Sequence, residues 1–108
     1  PAAMTSDVFA RLAATIHARR AADGAKSYTK QLLQAGPERC AKKFGEEAIE
    51  LVLAAVATDP AAIEAEAADV LYHLLVVLES RNIPLSAVAA RLEARMAQSG
   101  LEEKAARA

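Results

Sequence analysis

Apolar side chains recur at helical spacing along most of the chain, and no stretch alternates between apolar and polar residues as a half-buried strand does. The first helix is predicted from four apolar residues that share one face, Val8, Phe9, Leu12 and Ile16. We expect its cap at Thr5, Ser6 or Asp7 and its end near Ala22, before Asp23-Gly24. The opening segment is therefore predicted to be one amphipathic helix.

Caps, prolines and glycines divide the rest of the chain into further helices. They are expected from Ser27 to Gly36, from Pro37 to Thr58, from Asp59 to about Asn82, and from Pro84 or Ser86 to Ser99-Gly100. The last of them carries its apolar residues along one side, at Leu85, Val88, Leu92 and Met96. This order predicts an all-α fold, a bundle of about five helices.

The third and fourth helices are predicted to form the centre of that bundle. The third is apolar on every side over residues 51–57, and the fourth is almost entirely apolar over residues 70–78. Helices that are apolar all round are normally buried. Because Thr58-Asp59-Pro60 leaves only a short turn between the two helices, we expect them to form an antiparallel hairpin.

Two acidic pairs interrupt these apolar stretches, Glu47 with Glu50 and Glu66 with Asp69. Each pair has i,i+3 spacing, so its members lie about 60° apart on one helical face. Counted from the turn at Asp59-Pro60, the two pairs match to within about one residue, or about 1.5 Å of helix rise, so the four carboxylates are expected to converge. Their repulsion must be relieved by raised pKa values or by a cation, and oxygen ligands select Mg²⁺ or Mn²⁺ over zinc or copper.

Length, charge and cysteine content limit the classes of protein that fit this sequence. The 108 residues suffice for a single domain, residues 1–108, or for one protomer whose core a partner completes. A net charge of −1 gives no reason to expect nucleic-acid binding, and no apolar run is long enough to cross a bilayer. The single cysteine, Cys40, and an amino end without the pattern of a secretion signal favour the cytoplasm.

The acidic pairs allow other interpretations. A solvent-exposed acidic stripe would be ordinary for one i,i+3 pair, but two pairs in register inside apolar sequence favour a metal site. A carboxylate-bridged di-iron bundle needs Glu-x-x-His pairs on two helices, and the histidine near these pairs, His73, has a different spacing. A non-catalytic helical dimerisation module would leave the acidic pairs without a role.

The residues around the acidic pairs resemble a known family. Residues 42–50 and 66–75 are similar to phosphoribosyl-ATP pyrophosphohydrolase, which belongs to the all-α, MazG-like nucleotide pyrophosphohydrolase superfamily. The superfamily signature, EExxE followed by ExxD, is met by five residues, Glu46, Glu47, Glu50, Glu66 and Asp69. Three more segments resemble the histidine-pathway branch: Ser27-Tyr28-Thr29 with Leu32-Leu33, residues 69–76, and residues 99–105.

The resemblance implies Mg²⁺-dependent hydrolysis of phosphoribosyl-ATP to phosphoribosyl-AMP and pyrophosphate, the second step of histidine biosynthesis. It implies four metal ligands, Glu47, Glu50, Glu66 and Asp69, and a catalytic set in which Glu46, a candidate base, joins Glu47 and Glu50. It also implies a homodimer whose bundle is completed between protomers, and a functional link to the cyclohydrolase of the next step. A house-cleaning pyrophosphatase of the same superfamily, acting on free (deoxy)nucleoside triphosphates, is the nearer alternative.

Three further residues are assigned to substrate binding, Lys42, Lys43 and His73. The lysines form either i,i+4 surface ion pairs with Glu46 and Glu47 or contacts with the substrate phosphates, and the resemblance favours phosphate contact for at least one of them. For His73, a core histidine bonded to a carboxylate and orienting Asp69 is favoured over direct metal ligation.

Overall fold

The computed structural model describes residues 8–23, 27–57 and 59–98 in full and residues 2–7 as backbone. Within these ranges the chain forms α-helices and a 3-10 turn, with no strand. The helices are α1 (Ala2–Ala18), α2 (Tyr28–Ala35), α3 (Pro37–Ala57), α4 (Pro60–Ser80) and α5 (Leu85–Met96), and the 3-10 turn is Arg19–Ala21. The predicted all-α fold is confirmed. No described helix combines the length and the apolar character that a membrane span requires.

Side-chain caps begin α2 and α4. Ser27 Oγ accepts the backbone N–H of Lys30 at 3.1 Å, and Asp59 Oδ1 accepts that of Ala62 at 3.0 Å. Each bond satisfies a donor that the first turn of a helix leaves without an intrahelical acceptor. Pro60 follows in the first turn of α4, where the absence of an N–H removes no hydrogen bond. The starts predicted for both helices are confirmed.

Left-handed backbone follows α2 and α4. Gly36 has a φ of +97°, which a residue without a Cβ adopts at low cost, and Pro37 then begins α3. Asn82 has a φ of +59°, a region that asparagine tolerates better than most residues. α4 ends at Ser80, slightly before the predicted limit, because the N–H groups of Arg81 and Asn82 already turn back onto carbonyls of the last helical turn.

The predicted start of the first helix is wrong. α1 begins at Ala2, upstream of the expected caps, because alanine and methionine favour helix and extend it towards the amino end. Its carboxyl end tightens into the 3-10 turn and stops before Ala22, close to the expected position. α5 ends at Met96, slightly before the predicted limit at Ser99-Gly100, because the N–H groups of Ala97 and Gln98 close the last turn on Glu93 and Arg95. Thr58 and the similar segment 99–105 lie outside the described residues.

α3 and α4 form the expected hairpin and make the most extensive contact between any two described helices. α1 packs on α4, and α2 packs on both α3 and α4. The core comprises five buried residues drawn from α1 to α4, Ile16, Leu32, Cys40, Leu75 and Val76. The hairpin matters most for function because it fixes the register of the acidic residues on α3 against those on α4.

The expectation that residues 51–57 are buried is wrong for the single chain. Only Ala54 is buried there, whereas Val52, Leu53 and Val56 are 62%, 61% and 82% exposed. The reason is that α3 packs one side against α4 and α2, and no helix of the described residues covers its opposite side. Residues 70–78 are more enclosed but not completely, since Leu71 is 40% exposed.

Candidate metal centre

Three carboxylates meet where the middle of α3 faces the first half of α4. Glu47, Glu66 and Asp69 each offer an oxygen, and these oxygens all lie within 4.8 Å of one another. Glu66 and Asp69 reach the same point because i,i+3 spacing puts them on one face of α4, and the short turn brings Glu47 opposite them. Glu47 and Glu66 are half-buried, whereas Asp69 is exposed, so the group opens to solvent on one side.

Glu50, the fourth residue of the two acidic pairs, lies beside this group and is exposed. Hydrogen bonding to Glu50 is the largest cause of the raised pKa of Glu47; burial and the charges of Glu50 and Asp69 raise it further, against the opposing effect of Lys43. Burial is likewise the largest cause of the raised pKa of Glu66, followed by the charges of Glu50 and Asp69. Glu50 and Asp69 thus act on both Glu47 and Glu66, and the positive charge of Lys43 does not outweigh their effect on Glu47.

The donor set fits a hard divalent cation. Glu66 Oε2 is buried and has no hydrogen-bond partner among the described residues, so it is a buried acceptor without a donor. Burying such an atom costs free energy unless something satisfies it. Carboxylate oxygens are the ligands that Mg²⁺ and Mn²⁺ prefer, and a cation would relieve the same repulsion that raises the pKa values of Glu47 and Glu66.

Similarity to known proteins agrees with this chemistry. A profile of the phosphoribosyl-ATP pyrophosphohydrolase family matches residues 9–96. The chain belongs to the phosphoribosyl-ATP pyrophosphohydrolase family. It is 58% identical over 96 residues to phosphoribosyl-ATP pyrophosphatase 1 of Rhodopseudomonas palustris, covering 89% of this chain and 90% of the relative. It is 56% identical over 100 residues to phosphoribosyl-ATP pyrophosphatase of Cereibacter sphaeroides, covering 93% and 97%, and 59% identical over 96 residues to phosphoribosyl-ATP pyrophosphatase 1 of Bradyrhizobium diazoefficiens, covering 89% and 91%.

The family resemblance read from the sequence is thus confirmed, and the matched span contains every residue of the EExxE and ExxD signature. Within this phosphoribosyl-ATP pyrophosphohydrolase signature, the two adjacent glutamates of α3 lie in different surroundings. Glu47 points into the carboxylate group, whereas Glu46 is exposed and outside it. The proposed role of Glu46 as a base stays a prediction.

The two lysines that precede the signature also differ in this family member. Lys43 Nζ lies 4.0 Å from Glu47 Oε1, an i,i+4 ion pair at the edge of the carboxylate group. Lys42 is exposed, and no ion pair joins it to Glu46 in the described part of the chain. One of the two predicted surface pairs is therefore present, and Lys42 is exposed to solvent.

His73 is buried, with 5% of its surface exposed, as a core histidine should be. Its Nε2 lies 3.9 Å from Glu47 Oε1, which is within ion-pair range but longer than a hydrogen bond. Its contact is thus with Glu47 on the opposite helix, not the Asp69 partner expected on its own helix. Burial is the largest cause of the lowered pKa of His73, and Lys43 lowers it further against the charges of Asp69 and Glu46.

Two aromatic rings lie against His73, and one of them carries a hydroxyl that is hydrogen-bonded to another helix. Tyr72 lies edge-to-face against the imidazole at 4.9 Å between ring centroids, and Tyr28 at 6.3 Å. The hydroxyl of Tyr72 bonds that of Thr29 at 2.5 Å. The adjacency of Tyr72 and His73 was visible in the sequence, but no spacing indicates that Thr29, on another helix, meets Tyr72.

Proposed function

We propose that this chain is a Mg²⁺-dependent enzyme that hydrolyses phosphoribosyl-ATP to phosphoribosyl-AMP and pyrophosphate, the second step of histidine biosynthesis. The observation that carries the proposal is the group of carboxylates at the family signature, two of which, Glu47 and Glu66, have raised pKa values. The relatives are named for the same reaction at 55–59% identity over most of the chain. Mn²⁺ is a candidate substitute because its ligand preference is similar.

The residues that would hold the cation are the four predicted ligands, Glu47, Glu50, Glu66 and Asp69. A bound divalent ion supplies Lewis-acid stabilisation of charge on phosphate oxygens. The exposed side of the group, formed by Glu50 and Asp69, leaves room for a triphosphate to approach. Lys43, which lies beside Glu47, and Lys42 would balance negative charge on the phosphates and on the departing pyrophosphate. Glu46, exposed beside them, would accept a proton from the attacking water.

Pyrophosphate release from phosphoribosyl-ATP in the presence of Mg²⁺ tests this proposal. We expect Glu47→Gln and Glu50→Gln to abolish turnover while circular dichroism shows unchanged helicity. Glu64→Gln is a matched control, because Glu64 is exposed on α4 outside the carboxylate group. A near-normal rate in either of the first two variants would contradict the assigned ligands.

A substrate panel separates this activity from that of a house-cleaning enzyme of the same superfamily. The proposed enzyme should hydrolyse phosphoribosyl-ATP in preference to free nucleotides such as dUTP or dCTP. The opposite preference would overturn the assigned substrate and keep the reaction class. No metal-dependent turnover or stabilisation at all would favour a non-catalytic dimerisation module.

We also propose that the chain acts as a homodimer. Four exposed apolar residues of α3 support this, Ile49, Val52, Leu53 and Val56. An uncovered apolar helix face of this kind normally packs against a partner. Light scattering after size-exclusion chromatography should give twice the chain mass, and Val52→Glu with Val56→Glu should reduce it to that of one chain. A monomeric wild-type protein would contradict the proposed homodimer.

The cytoplasmic location and the functional link to the cyclohydrolase of the next step stay predictions.

A further inference from the structure

Both tyrosines of the chain lie against one buried histidine. The Tyr72 ring meets His73 at an interplanar angle of 77°, and the Tyr28 ring meets it at 89°. Edge-to-face contacts of this kind favour one orientation of the ring over others. The imidazole is therefore held from α2 and from its own helix, α4, with Nε2 directed to Glu47 on α3.

The Tyr72 side chain is itself fixed at its far end. Its hydroxyl bonds Thr29 Oγ1 at 2.5 Å, and Thr29 is only 4% exposed. Thr29 lies in the first turn of α2, immediately after the Ser27 cap that holds this turn in place. A hydroxyl pair of this kind fixes a position because breaking it leaves the buried Thr29 hydroxyl without this partner.

Glu47 is the metal-group residue that needs such support. A glutamate has three side-chain torsions, and the neighbouring carboxylates repel this one. The Nε2 to Oε1 distance of 3.9 Å requires a shift of about 1 Å to become a hydrogen bond, which a small torsional change in Glu47 provides. An N–H on Nε2 would then hold one oxygen of Glu47 and leave the other for a cation. His73 Nδ1 has no hydrogen-bond partner in the described residues, so Nε2 makes the polar contact.

We propose that Thr29, Tyr72 and His73 form a brace that positions the Glu47 carboxylate for cation binding and so sets the divalent-metal affinity of the centre. These are positioning residues, since they act through Glu47. The proposal rests on the metal centre of the proposed function and gives a role to Thr29 of the Ser27-Tyr28-Thr29 segment, which belongs to no signature of the centre. Partners of metal-bound ligands typically change affinity by about 10–100-fold when removed.

Mn²⁺ binding to the full chain, followed by electron paramagnetic resonance, tests the His73 contact. The amide nitrogen of a glutamine reaches about as far as Nε2, whereas that of an asparagine reaches only about as far as Nδ1. We expect His73→Asn to weaken Mn²⁺ binding about 10–100-fold and His73→Gln to retain most of the affinity. A role in core packing alone would make the two variants alike, so equal affinities would overturn the brace.

The hydroxyl pair is tested by the same titration with Thr29→Val, Tyr72→Phe and the double variant. Each substitution removes the same hydrogen bond, the one between Thr29 and Tyr72. The double variant should therefore bind Mn²⁺ no more weakly than the more affected single variant. Thr29→Ser, which keeps the hydroxyl, should bind as the wild type does. Ser80→Ala is the matched control, because it removes a hydroxyl from the last turn of α4, where Ser80 Oγ donates to the Val77 carbonyl at 2.7 Å.

The outcomes separate the brace from the metal centre. Wild-type affinity in Tyr72→Phe and Thr29→Val, or additive losses in the double variant, would overturn the brace and leave the metal centre standing. A wild-type protein that binds no Mn²⁺ would overturn both. Thermal melts of each variant identify any loss of affinity that comes from unfolding, and the Thr29→Ser variant then decides whether the hydroxyl matters.

Discussion

Glu47 and Glu79 are equally enclosed glutamates with opposite electrostatics. Each side chain is 16% exposed, so burial penalises the charged form of both. At Glu47, in the carboxylate group, hydrogen bonding to Glu50, burial and the nearby acidic charges all raise the pKa. At Glu79, near the end of α4, burial also acts to raise the pKa, but hydrogen bonds and charge from Arg20 and His17 outweigh it, and the pKa is lowered.

The geometry around Glu79 explains the difference. Arg20 Nε donates to the Glu79 carboxylate, and Arg20 Nη2 donates to the Glu79 backbone carbonyl and, at 3.1 Å, to Asn82 Oδ1. His17 Nδ1 lies 3.0 Å from the carboxylate. These contacts tie the end of α1 to the end of α4, and we name the four residues, His17, Arg20, Glu79 and Asn82, the α1–α4 clamp.

What separates Glu79 from Glu47 is therefore the positive charge beside each carboxylate, because the two side chains are equally exposed. The α1–α4 clamp brings its own guanidinium to one carboxylate. At the carboxylate group, Lys43 lies 4.0 Å from Glu47 and does not outweigh the effects that raise the pKa of Glu47, so negative charge is left that an external cation could neutralise. Glutamine substitutions at the two positions should consequently fail in different ways.

The largest contrast is expected in activity. Glu47→Gln should lower kcat/KM for phosphoribosyl-ATP by about 1,000-fold or more, because a metal contributes several kcal/mol of transition-state stabilisation. Glu79→Gln should leave the rate close to that of the wild type at temperatures where it is folded. Pyrophosphate release measures both, and comparable losses in the two variants would show that the α1–α4 clamp is part of the active site.

The second contrast concerns metal-dependent stability. Mg²⁺ at about 100 times its dissociation constant should stabilise the wild-type protein and Glu79→Gln by about 2.7 kcal/mol, because the ion binds only the folded state. Glu47→Gln should lose most of this gain. Thermal melts with Mg²⁺ or with a chelator measure it, and stabilisation of all three proteins to the same extent would place the ion elsewhere.

The carboxylate group could be predicted from the sequence because its geometry is local. The i,i+3 spacing of Glu66 and Asp69, with the short turn at Asp59-Pro60, settles the register of the hairpin without knowledge of the other helices. The α1–α4 clamp could not be predicted, since Arg20 meets Glu79 only through the packing direction of α1 on α4. The exposure of Val56 could not be predicted for a similar reason. Burial depends on which element packs over a helix face, and the hydrophobic pattern of α3 does not identify that element.

A third contrast is expected in the stability of the metal-free protein. Arg20→Met and Glu79→Gln should each lower the free energy of unfolding by about 1–2 kcal/mol, because each removes charge-assisted hydrogen bonds between α1 and α4. The double variant should be less destabilised than the sum, since both substitutions break the same contact. Urea unfolding in the presence of a chelator measures the cycle. Strict additivity would mean that Arg20 and Glu79 do not interact in solution.

The smallest effect, and the most specific, is the sign of the pH dependence. The lowered pKa of Glu79 means that its contribution to stability is present above the ordinary glutamate pKa of about 4.3 and is lost as pH falls through the lowered native value. The raised pKa of Glu47 means the reverse: in the metal-free protein its contribution to stability is present below the ordinary value and is lost as pH rises through the raised native value.

The free energy of unfolding of the wild type minus that of Glu79→Gln should therefore grow with pH in the acid range. The corresponding difference between the wild type and Glu47→Gln should shrink. Urea unfolding across a pH series with chelator present measures both differences, and slopes of the same sign would contradict the opposition between the carboxylate group and the α1–α4 clamp.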